Sequence, residues 1–283
     1  MNLTYSAVEE EFSENVKKVP GKIYLCQYKG LSCGACCGIY NFNYKSLSGF
    51  YEVLANRTRE FESLRRTLDE ILIFGEKELL KISAMGEKPF PDFHHCPYAG
   101  FIDKKNETPG CLLHPLSEKN SGVDFRGLSF YGGLACASYF CSTYFNVSPQ
   151  RKIILRDLFE DSYEYGLVVT ESEMINTIFD SIEKNTKSKT EISDLNFETS
   201  LFLKSVFRLK FEWPFKREKK HPVNYFFTDQ EKTEKINPLC RKSEFYFVLD
   251  SVNALINDEK DLVEAEEYIK EKIKKVSDSL FGT

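Results

Sequence analysis

Seven residues, Ser32-Cys33-Gly34-Ala35-Cys36-Cys37-Gly38, place three thiols within five positions, separated by residues small enough for the backbone to wrap closely. Thiolates this close repel one another unless they are protonated, oxidised or neutralised by a metal. Their sulfur is a soft ligand suited to zinc and to iron–sulfur centres. Cys33 and Cys36 form a Cys-x-x-Cys pair of the kind that chelates one zinc. Cys36 and Cys37 are adjacent, and adjacent side chains diverge. They suit two metals, or two irons of one cluster, or only one of them is a ligand. Cys26 lies just upstream, and Cys96, Cys111, Cys136 and Cys141 follow. Eight of the nine cysteines fall between 26 and 141, and Cys240 stands apart as a structural residue. Free cysteines scatter when packing alone decides, so the clustering points to metal. Eight thiols make two Cys₄ sites, or one [4Fe–4S] cluster with four left over.

Cys96-Pro97 adds a ferredoxin-like detail, because the bacterial ferredoxin ligand run also ends in Cys-Pro. His94, His95 and His114 lie near the cysteines in sequence and are candidates for ligation or for hydrogen bonds to thiolates, with His114 the strongest. Taken singly, each histidine more often serves a loop or a hydrogen bond than a metal. His221, within the charged run Lys216-Arg217-Glu218-Lys219-Lys220-His221, reads as part of a solvated turn. Tyr131-Gly132-Gly133 and Tyr139-Phe140 read as aromatic packing around a metal loop, and the two glycines alone do not make a phosphate loop.

The elements that must position these thiols follow from periodicity. Residues 1–20 are polar and predict a short helix or arm. Gly21 to Tyr28 alternates as a strand leading into the cysteine loop. From Ser48 to Met85, Phe50, Val53, Leu54, Phe61, Leu64, Leu68, Ile71 and Leu72 recur at helical spacing, with Gly75 expected to break the run into a long and a short helix. Residues 86–145 are rich in proline and glycine and lack a period. Such a stretch needs another source of order, which metal ligation supplies. Thr170-Glu171-Ser172-Glu173 reads as a capping box before a helix containing Met174, Ile175, Ile178 and Ile182. Residues 196–213 predict helix up to Pro214, and Leu262, Ala265, Ile269, Ile273, Val276 and Leu280 share one face of a C-terminal helix.

Composition excludes several classes. With 42% hydrophobic residues over 283 positions, a sizeable core is available and general disorder is not expected. The net charge of −5 gives no strong nucleic-acid signal. No apolar run reaches the length of a membrane span. Met1 to Glu11 shows neither a basic nor an apolar signal region, so a cytoplasmic location is expected, where thiols stay reduced.

The arrangement resembles the CxxCxxCC cysteine-cluster family, the YkgJ-like proteins described as putative zinc- or iron-chelating domains, over roughly residues 22–145. Cys33-Gly34-Ala35-Cys36-Cys37 matches the last three cysteines of that family's opening motif, and Cys96-Pro97-Tyr98 its Cys-Pro-aromatic element. Gly110-Cys111-Leu112-Leu113-His114-Pro115 resembles its Gly-Cys-x-x-Tyr element, with His114 in the tyrosine's place. Cys136 and Cys141 stand near its closing cysteines. Gly30 occupies the place of the motif's first cysteine, so Cys26 substitutes or that ligand is absent. The family's Arg-Pro-x-x-Cys-Arg element is not recognisable. Flagellin lysine-N-methylases carry a related cluster thought to hold iron–sulfur, but no S-adenosylmethionine fingerprint accompanies it here.

The expected fold is an α-rich mixed α+β class with few short strands. A loop-heavy cysteine-cluster region (1–147) packs on a mainly helical supporting region (148–283), with one continuous domain over both as the alternative. The expected function is metal binding: Cys26, Cys33, Cys36, Cys37, Cys96, Cys111, Cys136 and Cys141 are the candidate ligands of an iron–sulfur centre of the [4Fe–4S] type, with a redox or enzymatic role. The alternatives are a structural zinc interaction module and a methyltransferase related to the flagellin methylases. No acid, base or substrate pocket is evident that would assign an enzyme class, and the partner, a protein or a small molecule, is open.

Overall fold

A computed structural model describes residues 19–281 except 92, 104, 116, 118–119, 192–193 and 216–237. The expected N-terminal arm, apart from residues 19 and 20, and the Lys216–His221 turn lie outside the described residues. In chain order the elements are β1 (Gln27–Tyr28), β2 (Leu31–Ser32), α1 (Leu47–Ser63), α2 (Leu68–Ala84), β3 (Ala99–Phe101), β4 (Pro109–Cys111), α3 (Gly132–Ser138), α4 (Ser142–Asn146), α5 (Pro149–Leu158), α6 (Ser162–Val169), α7 (Ser172–Thr186), α8 (Phe197–Phe207), α9 (Leu209–Glu212), α10 (Tyr246–Ser251) and α11 (Glu259–Phe281). Short 3-10 turns connect several of them. Among the described residues the strands form two antiparallel pairs, β1 with β2 and β3 with β4, so the class is α-rich mixed α+β.

The chain divides into two compact units. The cysteine-rich unit comprises Cys26–Tyr139 and Asp161–Leu167; the other comprises the remaining described residues. In the cysteine-rich unit, α1 starts where Ser46 Oγ accepts from the Gly49 amide. It ends at Ser63, and Thr67 caps α2 by accepting from the Glu70 amide. The break therefore falls at 64–67 and not at Gly75, which lies inside α2. A Cβ at Gly75 would sit 2.3 Å from Tyr98 Oη, so this glycine serves close packing. The strand expected over 21–28 shrinks to Gln27–Tyr28, because Pro20–Lys22 forms a 3-10 turn in which Lys22 takes φ 60°. Phe61, Ile71, Phe74, Cys96, Tyr98, Leu112 and Leu113 form one buried cluster, against which Cys37, Cys111, Phe125 and Leu128 pack. The Asp103 carboxylate accepts from the amides of Lys105, Glu107 and Thr108 and closes the loop between β3 and β4.

In the second unit, α11 packs on α7 and α8, and α10 on α7. Leu262, Ala265, Ile269, Ile273 and Val276 are buried along α11, as their spacing predicts. The capping box expected at 170–173 does not form. Glu171 is the residue preceding α7 and caps it with no side-chain bond. Its carboxylate is instead held by Lys210 Nζ and by Ser251 Oγ, which donates at 3.2 Å, in a buried cluster. A buried ammonium needs a charged acceptor more than a helix end needs a cap.

Candidate metal centre

The opening cysteine loop is a 3-10 turn, Ala35–Cys37, between two glycines in the left-handed region. Gly38 takes φ +62°, and a Cβ there would lie 2.1 Å from the His94 carbonyl oxygen. That close approach brings the loop against residues 94–96. The Cys96 amide donates to the Cys37 carbonyl at 2.8 Å. Asn41 fastens the same region: its side-chain amide donates to the Phe90 and Phe93 carbonyls at 3.0 and 2.9 Å, and its oxygen accepts from the Phe90 amide at 2.9 Å. Cys111 ends β4, opposite Ala99 of β3, so the hairpin carries Cys96 and Cys111 together. Asn120 steadies the strand exit by donating to the Leu112 and His114 carbonyls at 2.7 and 2.8 Å. Cys136 lies on α3, which packs on the 3-10 turn at 126–128, and Ser129 Oγ lies 3.1 Å from its sulfur.

Seven of the candidate thiols lie in this unit, and five of them, Cys36, Cys37, Cys96, Cys111 and Cys136, fall on the opening turn, before and at the end of the β3–β4 hairpin, and on α3. Cys96 is buried, Cys37 and Cys111 are half-buried, and Cys36 and Cys136 are exposed. The Cys37 thiol donates to the Cys36 sulfur and holds Cys36 below the ordinary thiol range. The same hydrogen bond raises Cys37 well above it, with burial and the charges of Cys36, Cys96 and Cys111 adding to the rise. Burial pushes the Cys96 thiol up to about 11, and the charges of Cys136 and Cys36 push the same way. Burial raises Cys111 further, with Cys96 and Cys136 adding to it. Backbone amides aim at two of these sulfurs: Tyr98 N–H at Cys96 and Leu113 N–H at Cys111. Each amide lies two residues after its cysteine, a spacing that turns the backbone around the sulfur. Two guanidiniums contribute positive charge, Arg57 beside Cys96 and Arg126 near Cys111 and Cys136. Arg126 is itself paired with Asp124, its Nη2 lying 2.6 Å from Oδ2.

His95 has a structural task. Arg57 donates through Nε to Glu78 Oε2 at 2.9 Å and through Nη1 to the Ala99 carbonyl at 2.7 Å, while its Nη2 lies 3.1 Å from His95 Nε2. Arginine has only donors, so His95 Nε2 accepts, and Nδ1–H donates to the Gly38 carbonyl at 2.8 Å. Burial, with Arg57 alongside, keeps the imidazole neutral by lowering its pKa well below the usual value. Both ring nitrogens are engaged, so His95 orients the cysteine loop and is not a free ligand. His94 stacks on Phe130 at 5.6 Å, and its Nδ1 meets Tyr131 Oη at 2.9 Å. Burial lowers the His94 pKa to about 4, and burial lowers that of His114 as well.

The remaining candidates make contacts of their own. The Cys33 thiol is buried and donates to the Gly166 carbonyl at 3.8 Å, and its amide donates to the Cys26 carbonyl at 3.0 Å. Cys26 is half-buried at the entry to β1. Cys141 precedes α4 in the other unit, and Lys152 there senses its charge. Among the described residues no group of three or more His, Cys, Asp or Glu side chains is placed so that it could hold a metal ion. Thiols are the donor type that suits soft metals, and Cys37 and Cys111 border the apolar cluster that contains Cys96.

Arg57, Glu78, Asn41 and Asn120 are site residues that the motif reading missed. Arg57 and Glu78 left a signal, since each occupies the apolar stripe of its helix: Phe50, Leu54, Arg57, Phe61 and Ile71, Phe74, Glu78, Ile82. A charge on a core face calls for a partner on another core face. The asparagines left none, because loop clamps have no period.

Comparisons of the chain with protein-family models, with curated proteins and with solved structures find no match. No helix among the described residues is long and apolar enough to cross a membrane.

Proposed function

We propose that this protein binds metal through a thiolate centre formed by Cys36, Cys37, Cys96, Cys111 and Cys136, which holds an iron–sulfur cluster of the [4Fe–4S] type. The observation that supports this reading is that Cys37 and Cys111 pack against the buried cluster containing Cys96, with the Cys96 amide bonded to the Cys37 carbonyl at 2.8 Å. Buried thiols held together resist ionisation unless a cation offsets their repulsion, so metal binding must displace their protons. The surroundings favour a cluster over a lone zinc. Phe61, Tyr98, Leu112 and Leu113 provide the apolar setting that shields a cluster from water. A bound cluster would supply one-electron transfer. The residues' own work is to tune it: the Tyr98 and Leu113 amides hydrogen-bond sulfur, and Arg57 and Arg126 offset negative charge.

The deciding experiment is elemental analysis with a visible spectrum on protein purified without oxygen. Iron and acid-labile sulfide in about equal amounts, with broad visible absorption, are the expected result. Stoichiometric zinc in colourless protein would replace the cluster with a zinc module. Absence of both metals would refute the reading. Loading should also release protons, since Cys37, Cys96 and Cys111 begin as thiols. Apparent affinity therefore rises with pH and keeps rising beyond the ordinary thiol range, because burial holds Cys96 up to about 11.

A further inference from the structure

Cys26 and Cys33 face each other across the opening hairpin. Strands β1 and β2 pair Gln27 with Ser32 and Tyr28 with Leu31, a register that sets Cys26 opposite Cys33 one step beyond the strands. The Cys33 amide donates to the Cys26 carbonyl at 3.0 Å, so the pairing extends to them. Residues directly opposed in an antiparallel pair project to the same face. The connecting residues Lys29 and Gly30 take φ 46° and 86°, the two positive values of a tight two-residue hairpin turn, which fixes the register. The Thr108 hydroxyl donates to the Gly30 carbonyl at 3.2 Å and ties the turn down. Cys33 is held from its other side. Tyr40 Oη donates to its carbonyl at 2.8 Å, and the preceding Ser32 amide donates to Ser162 Oγ at 3.1 Å. A Cβ at Gly166 would lie 2.2 Å from the Cys33 carbonyl oxygen, so only glycine admits this approach. Cys26 is half-buried and Cys33 is buried, so the pair presents an outer thiol and an inner one.

We infer that Cys26 and Cys33 form a reversible dithiol–disulfide pair that is oxidised by low-molecular-weight disulfides. The Cα atoms of a hydrogen-bonded antiparallel pair stand about 5.5 Å apart, inside the span of about 4.4–6.8 Å that a disulfide bridges. Side chains of such a pair stand farther apart than those of an unbonded pair, so closure draws the strands together. The closed link is then under tension, the condition of a readily reduced disulfide. Cys26, as thiolate, attacks one sulfur of the external disulfide; that S–S bond breaks and releases one small thiolate. Cys33 gives its proton to the released thiolate, leaves the Gly166 carbonyl to which it donates at 3.8 Å, and attacks the Cys26 sulfur. The second small thiolate departs and takes up the proton that Cys26 lost first. Two cysteine thiols and one disulfide thus become one protein disulfide and two small thiols. Neither Cys26 nor Cys33 belongs to the thiolate centre described above, so the pair stands or falls independently of it.

Lys29 lies between the two cysteines, so trypsin separates them, leaving Cys26 in the peptide Ile23–Lys29 and Cys33 in Gly30–Lys45. The full chain, reduced and kept without oxygen, is exposed to glutathione disulfide. It is then quenched with iodoacetamide in denaturant, digested and mapped by mass spectrometry. The expected result is that most molecules yield the two peptides joined through Cys26 and Cys33, and that excess reduced glutathione separates them again. Cys33→Ser should instead accumulate glutathione on Cys26, because the resolving thiol is missing. Cys26→Ser should leave Cys33 as a thiol that the quench alkylates. Circular dichroism checks that both variants fold, and the wild-type map decides the question without them. Three outcomes would each overturn the pair: a link from Cys26 to Cys36 or Cys37, Cys26 remaining a thiol while Cys36 takes up glutathione, and a Cys26–Cys33 link that reduced glutathione does not open.

Discussion

Gly38 concentrates two constraints in one residue. Its φ of +62° disfavours any L side chain, and a Cβ would meet the His94 carbonyl oxygen at 2.1 Å. Gly38→Ala should therefore cost about 2 kcal/mol or more in stability, because the backbone strain and the clash add. The larger consequence should be local. The substitution pushes the cysteine loop off the 94–96 segment, lengthening the bond from the Cys96 amide to Cys37. Metal content should fall well below the wild-type value while circular dichroism still reports folded helix. Urea titration and metal analysis on one preparation check both, and full metal content in the alanine variant would show that the loop does not depend on this contact. The neutral His95 acts alongside, since its Nδ1–H holds the Gly38 carbonyl while Arg57 holds its other nitrogen. At this scale the sequence displayed the sulfurs plainly and the supports barely. A thiol cluster is visible as spacing. A histidine that accepts from a buried arginine is recognised only once the fold brings both residues to one place.

Helix α2 carries apolar residues on two faces with different fates. Ile71, Phe74 and Ile82 are buried, whereas Leu72, Ile73, Leu79 and Leu80 are exposed. Ile82→Ala should cost about 2–4 kcal/mol by leaving a cavity beneath α2. Leu80→Glu, at a position 71% exposed, should change stability by less than about 0.5 kcal/mol. Chemical denaturation of the two variants beside wild type measures the contrast, and a Leu80→Glu loss as large as that of Ile82→Ala would mean that the outer face is covered in solution. The helical stretch itself was legible from its period of three and four. Its break was not. Gly75 looked like the weak point, yet its missing Cβ admits the Tyr98 ring, and the chain turns at 64–67 because Thr67 can cap. Similarly, Glu171 was legible as part of a cap, but the buried Lys210 claims its carboxylate. Local signals fix where an element can start; a stronger partner elsewhere in the chain decides whether it does.

In the cysteine-rich unit as a whole, buried phenols set an alkaline limit. Tyr44 and Tyr163 share a hydrogen bond at 2.7 Å, and Tyr51 donates to Asp161 at 2.7 Å. Burial raises Tyr44 and Tyr51 above the ordinary phenol range, and burial pushes Tyr163 up to about 12. An acid whose folded pKa exceeds its unfolded value of about 10 stabilises the fold fully below pH 10 and loses that contribution as pH climbs through the folded value. Stability should therefore fall between about pH 10 and 12, read as loss of the helix signal. Tyr44→Phe should soften the fall; an alkaline unfolding midpoint unchanged in that variant would contradict the buried network. Asp161 and Tyr163 also show how far the sequence reaches, since a short stretch, Asp161–Leu167, joins a unit otherwise built from residues 26–139. The sequence by itself determined the α-rich class, the amphipathic helices and the concentration of thiols, because periodicity and local spacing are properties of neighbouring residues. Only the tertiary structure decided that Cys37 and Cys111 pack against the buried cluster containing Cys96 while Cys33 turns to Gly166 and Cys141 lies in the other unit. Loops without a period are placed by long-range hydrogen bonds and by the close approaches that glycine permits, and neither is written in the residues next door.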